Sequence, residues 1–131
     1  MTGDRPTILH VEDEELNRAL LRAVLARSSD PRLNGATIEE ARTLARAREL
    51  LRDRDVDLVL MDVRLPDGSG LDLVREIKAD RPDLGVVVMS ASVLPDEREH
   101  AIHSGCDAFL GKPYVAADLT AAIRRFLPDQ A

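Results

Sequence analysis

Short apolar runs alternate with stretches of helical periodicity along the chain, the pattern of repeated strand–helix units. Thr7-Ile8-Leu9-His10-Val11 opens the pattern as a short strand. From residue 14 to about 27, Leu16, Leu20, Ala23 and Val24 recur at helical spacing, which predicts a helix with those four on one face. Residues 28–35 hold Asp30-Pro31 and Asn34-Gly35, turn-forming pairs that predict a loop. A weak strand over 36–40 and a helix marked by Leu44, Ala47 and Leu51 follow.

The run Asp57-Leu58-Val59-Leu60-Met61-Asp62 is almost continuously apolar and ends in a carboxylate. Such a run suits a central parallel strand covered on both faces. Leu65-Pro66-Asp67-Gly68-Ser69-Gly70 reads as a loop, and Leu71, Leu73, Val74 and Ile77 mark a third helix. Gly85-Val86-Val87-Val88-Met89 is a buried strand that stops at Ser90. Residues 95–104 are helical in character but carry only Ala101 and Ile102 as apolar positions. A fifth strand is expected over 107–110. Leu119, Ala122, Ile123, Phe126 and Leu127 then predict a fifth helix, ended by Pro128. The expectation is an α/β fold of five strand–helix units in one domain over residues 1–131, its core spanning about 7–127. On this reading no room remains for an output or catalytic domain.

Composition narrows the chemistry. The only aromatics are Phe109, Tyr114 and Phe126, so the core must be aliphatic. Lys plus Arg number 18 against 24 for Asp plus Glu, a net charge of −6. That balance excludes an ordinary nucleic-acid module, which needs a basic face; Arg42, Arg46 and Arg48 are the only hint of one. No apolar stretch approaches the ~20 residues of a membrane span, and the N-terminus lacks the apolar core of a signal peptide. Cys106 is the single cysteine, which rules out an internal disulfide and a cysteine metal cluster. A cytoplasmic protein without a membrane partner is expected.

In open parallel sheets, chemistry gathers beyond the carboxyl ends of the strands. Those ends offer Glu12 and Asp13 after the first strand, Asp62 after the third, Ser90 after the fourth and Lys112 after the fifth. Clustered carboxylates repel, so the site must raise a pKa or take up a cation, and an all-oxygen ligand set suits Mg²⁺. A carboxylate beside such a metal can attack a phosphoryl group, with Ser90 and Lys112 holding its other oxygens. Taken singly, each residue has a plainer role: Asp62 or Ser90 as a cap, the acidic run from Glu12 as a helix start, Lys112 as a solvated loop residue. Their joint placement carries the functional reading.

The strings Val11-Glu12-Asp13, Leu60-Met61-Asp62-Val63-Arg64-Leu65-Pro66-Asp67-Gly68-Ser69-Gly70-Leu71, Met89-Ser90-Ala91 and Gly105-Cys106-Asp107-Ala108-Phe109-Leu110-Gly111-Lys112-Pro113 resemble the receiver domain of two-component response regulators. The resemblance runs from about residue 7 to 127. It implies a flavodoxin-like, doubly wound five-stranded parallel sheet of order 2-1-3-4-5 with five helices. It implies that Asp62 accepts the phosphoryl group, and that Glu12, Asp13, Asp62 and the backbone carbonyl of Arg64 hold Mg²⁺. Ser90 and Phe109 would be the switch pair, Lys112 the phosphate-pairing lysine, and Lys112-Pro113 a cis peptide. Arg64 and Ser92 would border the path of the water that hydrolyses the acyl phosphate. Phe109 lacks the hydroxyl of the commoner tyrosine, so its switch would work by packing alone.

The implied partners are a sensor histidine kinase or a histidine phosphotransfer protein as donor. Downstream, an unidentified protein or a second copy of the chain would bind the face formed by the fourth helix, fifth strand and fifth helix. The chain would catalyse only its own phosphorylation and dephosphorylation. Rival readings fit less well. An aspartate-nucleophile phosphatase needs a second Asp where Arg64 stands, a nucleotide hydrolase needs a Gly-rich lysine loop, and a flavin site would not place four consecutive acidic residues after the first strand. A non-phosphorylated docking module would have lost an acidic, hydroxyl or lysine position, and none is lost. His10 reads as a packed strand residue, His100 and His103 as surface residues, and Cys106 as a small buried one. Asn17, one turn into the first helix and near the acidic site, reads equally as a contact for a phosphodonor protein or as a solvated polar residue.

Overall fold

The computed structural model describes residues 5–91 and 94–128. Five strands form the main sheet: β1 (Thr7–Val11), β2 (Thr37–Ala41), β3 (Leu58–Asp62), β6 (Gly85–Ser90) and β7 (Ala108–Gly111). All pair in parallel in the order β2-β1-β3-β6-β7, which is the expected doubly wound arrangement. Between β3 and β6 a two-residue hairpin, β4 (Arg64–Leu65) and β5 (Gly68–Ser69), occupies what sequence reads as loop.

Successive strand residues point to opposite faces, so the sheet feeds two cores. One contains Leu9, Val11, Val59, Met61, Val86 and Val88 and is covered by α3 (Leu44–Asp53), α4 (Gly70–Asp80) and α5 (Pro95–His103). The other contains Ile8, Leu58, Leu60, Val87 and Met89 and is covered by α1 (Glu15–Ala26) and α6 (Ala116–Phe126). The central strands β3 and β6 are buried on both sides, as their unbroken apolar runs require. No described helix is long and apolar enough to cross a membrane.

Three expectations need correction. The loop over 28–35 contains a one-turn helix, α2 (Pro31–Asn34), so the described residues hold six helices rather than five. Its cause is local: the Asp30 side chain accepts from the Arg32 N–H, and Pro31 stands in the first helical turn. The buried stripe of α1 is Arg18, Leu21 and Leu25, whereas Leu16 and Leu20 are exposed. Two stripes interleave on that helix, and periodicity alone favours the outer one because the inner one includes an arginine. Cys106 is half-buried rather than buried, and the strand that follows it runs over Ala108–Gly111 instead of 107–110.

Candidate functional site

Strand ends deliver the site. Glu12 follows β1 and is held there by its N–H, which donates to the Ala41 carbonyl at 2.9 Å. Asp62 and Ser90 are the last residues of β3 and β6. Lys112 follows β7, and its N–H donates to the Ser90 carbonyl at 2.8 Å. The Lys112–Pro113 peptide is cis, as expected. Asp13, Asn17, Asp62, Arg64, Ser90 and Lys112 line one cavity of about 430 Å³. Of the expected site residues, Glu12 is buried behind that lining, against Lys112, and Phe109 lies apart, half-buried against the core under α3, α4 and α5. Ser92 is outside the described residues.

The Lys112 ammonium is the electrostatic pivot. Nζ lies 2.6 Å from Glu12 Oε1 and 3.7 Å from Asp62 Oδ1. Glu12 is 1% exposed, and burial pushes its pKa up. The Lys112 hydrogen bond and charge, with the Glu14 N–H, outweigh that and hold it below the usual range. Asp62 goes the other way: burial is the main cause and the Glu12 charge adds to it, against the opposing pull of Lys112, so its pKa rises to about 6. Two carboxylates compete for one ammonium, and Asp62 is the underserved partner.

A further cation would balance such a pair. Glu12, Asp13 and Asp62 each offer a carboxylate oxygen, all within 4.8 Å of one another. Hard oxygen donors in that number, open to water on the Asp13 side, fit Mg²⁺, which keeps several waters and takes few carboxylates. His100 and His103 are exposed and join no three-ligand group among the described residues.

Residues to which the sequence reading assigns no part in the site support this geometry. Gly70 approaches so closely that a β-carbon there would sit 2.0 Å from the Asp62 carbonyl oxygen, while its own N–H donates to the Val63 carbonyl at 2.7 Å. Asp67 reaches across to the start of α3, accepting from the Leu44 and Ala45 N–H groups at 2.8 and 3.1 Å. Its partners lie more than twenty residues away, so no local pattern could reveal the link. Buried Arg18 donates to the Glu12 carbonyl at 2.9 Å and to Glu15 at 2.7 Å, bracing the acidic turn from below. His10 is buried, and neither ring nitrogen has a hydrogen-bond partner among the described residues; burial lowers its pKa to about 4, so it is neutral packing. The suspected basic cluster is neutralised in part, since Arg46 pairs with Glu49 and Arg48 with Glu76.

Known proteins resemble the chain in sequence and in fold. A profile of the response regulator receiver domain matches residues 8–124. The aerobic respiration control sensor protein ArcB of Escherichia coli is 38% identical over 126 residues, covering 94% of this chain and 15% of ArcB. The chain thus spans about 15% of that relative's length. The polar-differentiation response regulator DivK of Brucella ovis is 30% identical over 125 residues, covering 94% of this chain and 97% of DivK. Among solved structures, the non-phosphorylated HemR receiver domain from Leptospira biflexa superimposes with a TM-score of 0.80 at 30% identity, covering 97% of this chain and 98% of that one.

Proposed function

The chain belongs to the family of response regulator receiver domains, and from that premise we propose that it is a phosphoacceptor switch with Asp62 as the acceptor. The reading rests on one observation above all: Asp62, Glu12, Asp13 and Lys112 converge at the carboxyl edge of the sheet. A sensor histidine kinase or a histidine phosphotransfer protein supplies the phosphoryl group. An Asp62 carboxylate oxygen forms the bond to phosphorus as the phosphorus–nitrogen bond breaks, and the departing imidazole nitrogen keeps the electron pair.

Each neighbour has a part. Glu12, Asp13, Asp62 and the Arg64 backbone carbonyl hold Mg²⁺, which when bound offsets the negative charge gathered around the phosphoryl group. Lys112 turns from Glu12 towards the phosphoryl oxygens, a short movement because it already lies 3.7 Å from Asp62. Ser90, at the cavity edge, donates its hydroxyl to another oxygen and draws the end of β6 inward. The Phe109 ring then repacks, and the face made by α5, β7 and α6 presents the altered surface to a downstream protein or to a second copy of the chain.

Incubation with acetyl phosphate or a phosphohistidine donor in Mg²⁺ tests the assignment. Wild type should take one label, Asp62→Asn none, and EDTA should prevent labelling. A label that persists on Asp62→Asn, or that forms equally well in EDTA, overturns it.

A further inference from the structure

Arg64 belongs to two places at once. It is one of the residues that line the cavity with Asp62, Ser90 and Lys112. Its guanidinium also pairs with Glu97 of α5, Nη2 to Oε1 at 2.9 Å. The next residue on that helix, Arg98, places its guanidinium 5.9 Å from the centre of the Phe109 ring. Two consecutive residues of α5 therefore reach, by charge alone, the acceptor cavity on one side and the aromatic ring on the other. Apolar packing does little to fix that helix, because Ala101 is its only buried residue.

We propose that Arg64 is a two-position latch: it holds α5 through Glu97 in the resting protein and turns to the phosphoryl oxygens on Asp62 after transfer, letting α5 go. The inference rests on the phosphoacceptor reading and deepens it. Arg64 is 80% exposed, and an exposed ion pair is weak. A phosphoryl group carries more charge than a single carboxylate and offers several acceptor oxygens in the geometry a guanidinium prefers. In a competition between the two, the phosphoryl group wins. Release of Glu97 frees the first turns of α5, and with them the Arg98 contact that holds the Phe109 ring. Coupling of this kind is reciprocal: whatever loosens α5 also makes Arg64 available to the cavity.

The test uses the full chain and two readouts. In metal-free resting protein, Glu97→Gln should move the amide signals of 95–103 and Phe109 in the direction that beryllofluoride with Mg²⁺ moves them in wild type. A charge swap, Arg64→Glu with Glu97→Arg, should return them towards the resting positions. Labelling by acetyl phosphate should quicken about threefold in Glu97→Gln, the factor that a weak exposed pair supplies. The same change in an Arg64→Gln background should have no effect. Unmoved amides, or an equal acceleration without Arg64, would overturn the latch while wild type still labels. A wild type that takes no label overturns the phosphoacceptor reading beneath it.

Discussion

Helices α4 and α5 cover the same side of the sheet and are held there by different forces. α4 buries Gly70, Leu71, Leu73, Val74 and Ile77, whereas α5 buries Ala101 alone and turns Ile102 outward at 58% exposure. α4 starts against Asp62: Gly70 lies against the Asp62 carbonyl, and Asp67 just before it clamps the loop to α3. Burial of apolar area is the main source of stability, so α4 fixes the backbone around Asp62 firmly. α5 relies on Arg64–Glu97 and Arg98–Phe109, polar contacts that a change of charge can rearrange. The anchored helix fixes the backbone at Asp62, and the lightly held one is the easier of the two to move.

The largest effect expected from this contrast is on stability. Ile77→Ala removes a side chain that is 5% exposed in the core under α3, α4 and α5. It should destabilise the chain by about 2–4 kcal/mol in urea unfolding, the usual cost of such a truncation. A loss near zero would mean that α4 is no better anchored than α5, and the comparison would break.

A smaller effect sharpens the comparison at Asp62 itself. The firm setting around Asp62 holds a carboxylate whose pKa is raised to about 6, mainly by burial. The unfolded chain gives up that proton first, so between about pH 4 and the folded value the native state binds more protons and stability falls as pH rises. The loss is complete above pH 6 or so. Asp62→Asn escapes it. In EDTA at about pH 7.5 the variant should be more stable than wild type by about 1–2 kcal/mol, a figure reduced for screening on the cavity side, and the gap should close towards about pH 4. A variant less stable than wild type throughout this range would show that burial does not disfavour the Asp62 carboxylate.

Much of this contrast is legible in the sequence, and the part that is not has a physical reason. The central strands announce themselves because burial on both faces demands unbroken apolar runs, and the order of strand ends then brings Glu12, Asp62 and Lys112 together. The thin apolar content of α5 is equally visible, since Ala101 and Ile102 are its only candidates. The buried face of α1 is not, because Arg18 lies in it: an arginine is read as solvated until the Glu12 carbonyl and Glu15 that receive it are known. The pairs Asp67 with α3 and Arg64 with Glu97 are likewise hidden, for they join residues far apart in the chain through side chains that a pattern search treats as interchangeable surface. What periodicity encodes is burial; what it omits is which charge meets which.

The smallest predicted effect is the complement of the first. Ile102 is the one large aliphatic residue of α5, and a sequence reading would count it as core. Its 58% exposure says that most of its surface is already in water, so little transfer free energy is lost when it becomes polar. Glutamine is also somewhat the better helix former, since isoleucine loses rotamer freedom against the preceding turn. These two terms oppose each other and each is small. Ile102→Gln should therefore change unfolding stability by no more than about 0.5 kcal/mol in either direction, the range of ordinary surface substitutions. Urea titration beside Ile77→Ala measures both helices on one scale. A loss of about 2 kcal/mol for Ile102→Gln, comparable to a core truncation, would show that α5 is anchored as α4 is, and a helix so anchored could not be released by a change of charge at Arg64.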